Sequence, residues 1–184
     1  MDPTRTLPDA PRRLSELVED GRSWSLRDSL LLIRRLSVLV RDFHQAGQTH
    51  RAIDLDHVTV IGRLEPQLSK PPERRWFGGQ HSDPEFCPPE LVGADLVEVP
   101  GGLVAATARL AEQGCAISPA RIDVYQLGTS LCRLLSGEST LRYLYAPTAR
   151  ARVPRAARSL VDRALGHDAA QRLSQCDGFL AEVD

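Results

Sequence analysis

A chain of 184 residues with 42% hydrophobic content is large and apolar enough for one folded domain, which excludes disorder of the whole. A net charge of −1 gives no electrostatic ground for DNA, RNA or an anionic membrane as partner. Four cysteines without a CxxC pair read as reduced thiols, Met1–Arg13 has no signal-peptide core, and no run reaches the ~20 apolar residues of a membrane span. A cytoplasmic protein is expected. Lys70 is the sole lysine among 23 basic residues, the bias expected of a GC-rich genome such as a bacterial one.

Residues 1–12 carry Pro3, Pro8 and Pro11 and read as an extended arm. A short helix is predicted over 13–20, ended by Gly21. The strongest helical pattern follows. Ser25 is placed to cap it, Leu26, Leu30, Ile33, Leu36, Val40 and Phe43 recur at helical spacing, and Gly47 stops it. Two short β runs follow, Val58–Ile61 and a weaker one near 67–69, with Pro66, Pro71 and Pro72 as breakers. Residues 76–89 are a Gly- and Pro-rich loop. Further helices are predicted over 103–113, 122–136, 154–165 and 174–182. The class is mainly α with a small β-hairpin.

From His44 to Val60 the sequence reads H-Q-A-G-Q-T-H-R-A-I-D-L-D-H-V-T-V. This resembles the end of the long helix and the catalytic loop of eukaryotic-type protein kinases, whose pattern is H-x-x-G-x-x-H-R-D-x-K-x-x-N. His44, Gly47, His50 and Arg51 match. Further on, Pro88-Pro89-Glu90 resembles the A-P-E that closes the activation segment. Asp123-Val124-Tyr125-Gln126-Leu127-Gly128 resembles the D-V-Y-S-L-G of the central helix. The run from Asp168 through Arg172 to Ser174 resembles D-P-x-x-R-P-S. Four landmarks stand in family order, separated by helices where the family has helices. The whole is similar to single-lobed bacterial pseudokinases of the bubblin-like kind.

The resemblance implies a protein-kinase C-terminal lobe spanning 13–184 behind a Pro-containing arm of 1–12. It implies that the N-lobe is absent, since only 12 residues precede the first predicted helix. It also implies structural roles. Asp123 is expected to clamp the backbone around His50 and Arg51, and Glu90 to pair with Arg172. The catalytic positions are degenerate: the base aspartate is Ala52, the phosphate lysine is Asp54 and the metal asparagine is His57. Counting the family's spacing from His57 reaches Lys70-Pro71-Pro72 in place of the D-F-G aspartate. Thr59 falls where the family puts an apolar residue under the adenine ring. Phosphoryl transfer needs positioned phosphates, metal ions and an oriented nucleophile, and none of these residues supplies them.

The expected function is therefore that of a catalytically inactive pseudokinase acting as an interaction scaffold or regulator, with no ATP, cofactor or metal. The alternative is an enzyme with unconventional chemistry on a kinase-like shell. His44, His50, His57 and His81 also invite a metal reading, against which stands their scatter over an irregular loop. Asp54 and Asp56 read as an exposed loop pair bound to nearby backbone N–H groups. Arg51 sits where many kinases read a phosphate, and Ser69 and Ser82 are residues that can carry one; solvent or a carboxylate is the favoured partner.

Two regions exceed the family pattern. Glu90 and Asp123 lie 33 positions apart (123 − 90), a span the family closes in far fewer residues. The insert, about 93–120, contains the predicted 103–113 helix with Leu103 and Leu110 on one face. It either packs on its own lobe or docks a partner. Arginines also crowd the late chain, at 142, 150, 152, 155, 158 and 163, either as a solvated helix face or as a dock for an acidic peptide or nucleic acid. An unidentified protein partner is expected, with a homodimer through the surface an N-lobe would cover as one form of it. Trp76 and Phe77 in the 70–86 loop are the candidate contacts.

Overall fold

The computed structural model describes residues 10–21, 24–70, 84–89, 108, 111–112, 118–166, 169–174 and 176–183. Strand β1 (Arg12–Arg13) leads into helix α1 (Leu14–Glu19), and α2 (Leu26–Gln45) follows. Ser25 caps α2 by accepting from the Asp28 N–H at 3.0 Å. Its Leu32, Ile33, Leu36 and Val40 are fully buried. This helix is the spine on which the other layers pack.

Strands β2 (Val58–Ile61) and β3 (Glu65–Leu68) form a hairpin, and the sheet has the order β1-β2-β3, antiparallel throughout. Val60 faces Arg12 on one side and Pro66 on the other. The hairpin tip needs left-handed backbone at Gly62 and Leu64 (φ +47° and +65°). Arg35 of α2 holds that tip, donating to the carbonyls of Arg63 and Leu64 at 2.8 and 2.9 Å and pairing with Glu65 at 2.8 Å.

After a 3₁₀ turn at Pro84–Phe86 come α3 (Pro119–Ser136), α4 (Thr140–Tyr145), α5 (Pro147–Arg152) and α6 (Arg155–Ala164). A second 3₁₀ turn at Ala169–Gln171 precedes α7 (Cys176–Val183). Helix α3 is the centre: every residue from Ile122 to Cys132 is buried. A helix hidden on all sides must sit inside the domain, with α2, α6 and α7 around it. Gly128 permits a close approach of α6, since a Cβ there would lie 2.5 Å from the Ala164 Cβ. Cys132 and Cys176 are buried, and burial pushes both thiols up to about 12. No helix among the described residues is long and apolar enough to cross a membrane.

The end of the predicted arm is extended and also anchored: Arg12–Arg13 pairs with β2, and the Ser15 N–H donates to the Leu55 carbonyl at 3.0 Å. Three expectations change. Pro66 does not break its strand, because β3 lies at the sheet edge and the missing N–H costs no ladder bond there. The second β run starts earlier than expected, at Glu65. Helices α4 and α5 were not expected; each is six residues long, too short to show a helical period. Within the predicted 103–113 helix, Ala108, Ala111 and Glu112 are helical and exposed, while Leu103 and Leu110 lie outside the described residues.

Candidate functional site

The loop from His44 to His57 is held from below by α3. Asp123 is completely buried. Its Oδ2 accepts from the His50 N–H at 2.9 Å and from His44 Nε2 at 2.8 Å, and its Oδ1 accepts from the Arg51 N–H at 2.5 Å. One turn later on the same face, Gln126 continues the grip. Its Oε1 accepts from the Ile53 N–H at 2.9 Å, and its Nε2 donates to the carbonyls of Arg51 at 3.0 Å and Phe86 at 3.3 Å. Two side chains thus hold the backbone at 50, 51 and 53. Arg51 has φ +62°, a left-handed conformation that costs a non-glycine residue about 1–2 kcal/mol. Bonds to its N–H and its carbonyl offset that cost.

His50 is buried with a defined tautomer. Nε2–H donates to the Ser69 carbonyl at 2.7 Å, and Nδ1 accepts from the Ala52 N–H at 3.3 Å. Desolvation lowers its pKa, so the ring is neutral. The ring edge rests on Phe43, with centroids 5.7 Å apart. Ala52 is buried and offers only a methyl group.

Asp54 corrects the exposed-loop expectation, since only 1% of it is exposed. Its Oδ1 accepts from the N–H groups of Asp56 and His57, both at 3.0 Å, and from His57 Nδ1–H at 2.6 Å. This turn folds the carboxylate inward onto its own backbone, which is why it is hidden. The hydrogen bond from Asp54 raises the His57 pKa. Asp56 is half-buried, Thr59 is half-buried in β2, and Lys70 and Ser69 are exposed. The three ring-bearing residues His44, His50 and His57 thus have different partners. Among the described residues no group of three or more His, Cys, Asp or Glu is placed to hold a metal.

The Arg51 guanidinium is half-buried, and desolvation lowers its pKa. It lines a cavity of about 710 Å³ with Arg41, His44, Ser118 and Cys176. Arg172 is buried: its Nε donates to the Gly166 carbonyl at 2.6 Å, and its guanidinium stacks 5.0 Å above the Tyr125 ring. Glu90, its expected partner, lies outside the described residues. So do Trp76, Phe77, His81 and Ser82.

Glu85 and Gln126 were not singled out from the sequence. Glu85 accepts from the Thr140 N–H at 2.5 Å and pairs with Arg133 at 3.2 Å, pinning the Pro84–Phe86 turn to α3 and α4. A polar residue inside the otherwise apolar stretch of the central helix was the available signal for Gln126. For Glu85 the sequence held none. The late arginines are better compensated than expected. Arg150 makes a two-pronged pair with Asp162 at 2.8 and 2.5 Å, Arg142 and Arg152 share Glu138 at 3.0 and 2.6 Å, and Arg163 pairs with Glu182.

No protein-family model and no curated protein matches the sequence. Solved structures do match in fold. The kinase domain of Mycobacterium tuberculosis PknI is 16% identical with a TM-score of 0.57, over 95% of this chain and 61% of that one. A double mutant of the same domain is 14% identical with a TM-score of 0.60, over 96% and 62%. Rad53 1–466, solved in complex with AMP-PNP, is 16% identical with a TM-score of 0.63, over 91% and 42%. The chain spans about three fifths of the PknI domain and about two fifths of that Rad53 chain. Among the described residues it is mainly helical with one three-stranded sheet, and its fold is that of a protein kinase domain over this span.

Proposed function

We propose that this chain is a catalytically inactive pseudokinase that binds no ATP and works as an interaction scaffold or regulator for another protein. The observation that carries the reading is the state of the catalytic-loop positions. Where the resemblance puts a base, a phosphate-binding lysine and a metal-binding asparagine, the chain has a buried methyl group, a buried carboxylate and an imidazole, the last two bonded to each other. Phosphoryl transfer is almost entirely positioning and electrostatic stabilisation, so losing those groups removes the chemistry while the loop stays ordered. The bonds from Asp123 and Gln126 maintain the architecture alone. Candidate partner contacts from the sequence, around Trp76 and Phe77 or Leu103 and Leu110, lie outside the described residues and remain part of this proposal.

Thermal melting with excess ATP and Mg²⁺ tests the reading. A ligand at 100 times its dissociation constant adds about 2.7 kcal/mol, which would raise the midpoint by several degrees. The expected result is an unmoved midpoint and no transfer of labelled phosphate to the chain or to a generic protein substrate. A shift confirmed by calorimetry, or label incorporation, overturns it.

A further inference from the structure

The exposed large apolar side chains among the described residues are Leu141, Leu144 and Tyr145, at 65%, 40% and 75% exposure. All three belong to α4, at the i, i+3 and i+4 spacing that makes one helical face. The same helix buries Thr140 and Tyr143 inward. Its anchoring is thorough: the Ser139 hydroxyl caps it, Glu85 accepts from its first N–H, and Tyr143 donates to Asp162 at 2.8 Å. The apolar face therefore sits on a fixed helix. Scattered exposed apolar residues need no explanation, but three on one face of a firmly held helix mark a contact surface.

Charge decides what kind of partner fits. Residues 138–166 contain six arginines and two carboxylates, a net charge of +4, of which Glu182 of α7 answers one at Arg163. Arg142, on α4 itself, and Arg152, at the end of α5, share the single carboxylate of Glu138 at 3.0 and 2.6 Å. Both arginine side chains are still mostly exposed, at 64% and 61%. Two cations on one carboxylate leave uncompensated positive charge beside the apolar face. A second copy of this chain would bring the same positive field and be repelled. An RNA would find the charge but would leave Leu141 and Leu144 against phosphate and ribose.

We infer that the exposed face of α4, with Arg142 and Arg152 beside it, is a docking surface for an acidic peptide segment carrying apolar anchors. The anchors cover Leu141, Leu144 and Tyr145, and the acidic groups complete the charge that Glu138 leaves unbalanced. Tyrosine is well suited to such a role, since it brings a large rigid contact area at low entropic cost. The inference names a partner surface for the interaction role proposed above and rests on that reading. The two fail separately, because phosphate transfer by the chain would end the first and leave peptide selection untouched.

The test is a phage-displayed library of random 16-residue peptides panned on the full chain. The variants Leu141→Glu with Tyr145→Glu, and Arg152→Glu alone, serve as counter-targets. All three positions are exposed, so the variants keep the fold, which circular dichroism verifies. The expected winners carry net negative charge and at least two apolar residues. As synthetic peptides they bind at least tenfold more weakly to either variant, and more weakly as salt rises. No selective winner, basic or neutral winners, or winners indifferent to both variants overturns the inference. So does a 20-nucleotide RNA that binds the wild type more tightly than the winners and loses that binding in the variants. Concentration-dependent dimerisation abolished by the same variants would assign the face to a second copy and overturn it equally.

Discussion

Asp54 and His57 are bound to each other: the imidazole Nδ1–H donates to the carboxylate at 2.6 Å, with Asp54 buried and His57 37% exposed. That hydrogen bond raises the His57 pKa above its ordinary value. A histidine with a raised folded pKa contributes stability that is fully present below the unfolded pKa. The contribution is lost as pH rises through the folded one. His50 works the other way, since desolvation lowers its pKa. Its contribution is present above the ordinary value and is lost as pH falls toward the lowered one. Asp54→Asn should return the His57 pKa toward the ordinary range, read by NMR of the imidazole protons. His57→Gln should flatten the alkaline fall in urea-denaturation stability and leave the acidic fall due to His50. A His57 pKa unchanged in Asp54→Asn would count against the coupling.

Removing the Asp123 carboxylate strands the N–H groups of His50 and Arg51 and the His44 ring. Each stranded buried donor costs about 1–3 kcal/mol. Asp123→Ala should therefore lower stability by several kcal/mol in chemical denaturation. Loss of the His50 and Arg51 amide protection in hydrogen exchange should exceed loss at the sheet. A mild effect spread evenly over the chain would show that the loop holds itself.

Gly128 of α3 lies against Ala164 of α6 with no room for a Cβ between them. Gly128→Ala should cost about 1–3 kcal/mol through overpacking. Because the obstructing atom is the Ala164 Cβ, adding Ala164→Gly should recover part of that loss, leaving the double variant better than the sum of the singles. Strict additivity would mean that the helices separate freely.

The Glu90–Arg172 pair expected from the sequence is open to a double-mutant cycle. Arg172→Ala should cost about 3–5 kcal/mol if a buried pair is broken, and its coupling to Glu90→Ala should be about 0.5–3 kcal/mol. Coupling near zero, with Arg172→Ala still costly, would place the contribution of Arg172 in other contacts, those to Gly166 and Tyr125 among them.

The long elements were legible because their signals are local. Ser25, the apolar period and Gly47 bracket α2 closely, and the alternation at Val58–Ile61 matches β2 residue for residue. The order of His50, Arg51 and Asp123 along the chain also pointed to the kinase-like fold, since motif spacing survives at low identity. The degenerate identities Ala52, Asp54 and His57 are facts of sequence and need no coordinates.

What those residues do was decided in three dimensions. Nothing near Asp54 announces that its turn buries it, and nothing near Gln126 announces a bond to Ile53, 73 positions away. Helices α4 and α5 are too short to be stable by propensity, so their existence depends on packing against α3 and on Glu85 arriving from a distant turn. The same holds for Arg163, whose partner Glu182 comes from a separate helix. Periodicity and caps act within a few residues and are written in the sequence. Burial and long-range hydrogen bonds depend on which distant segments meet, and only the folded chain determines that.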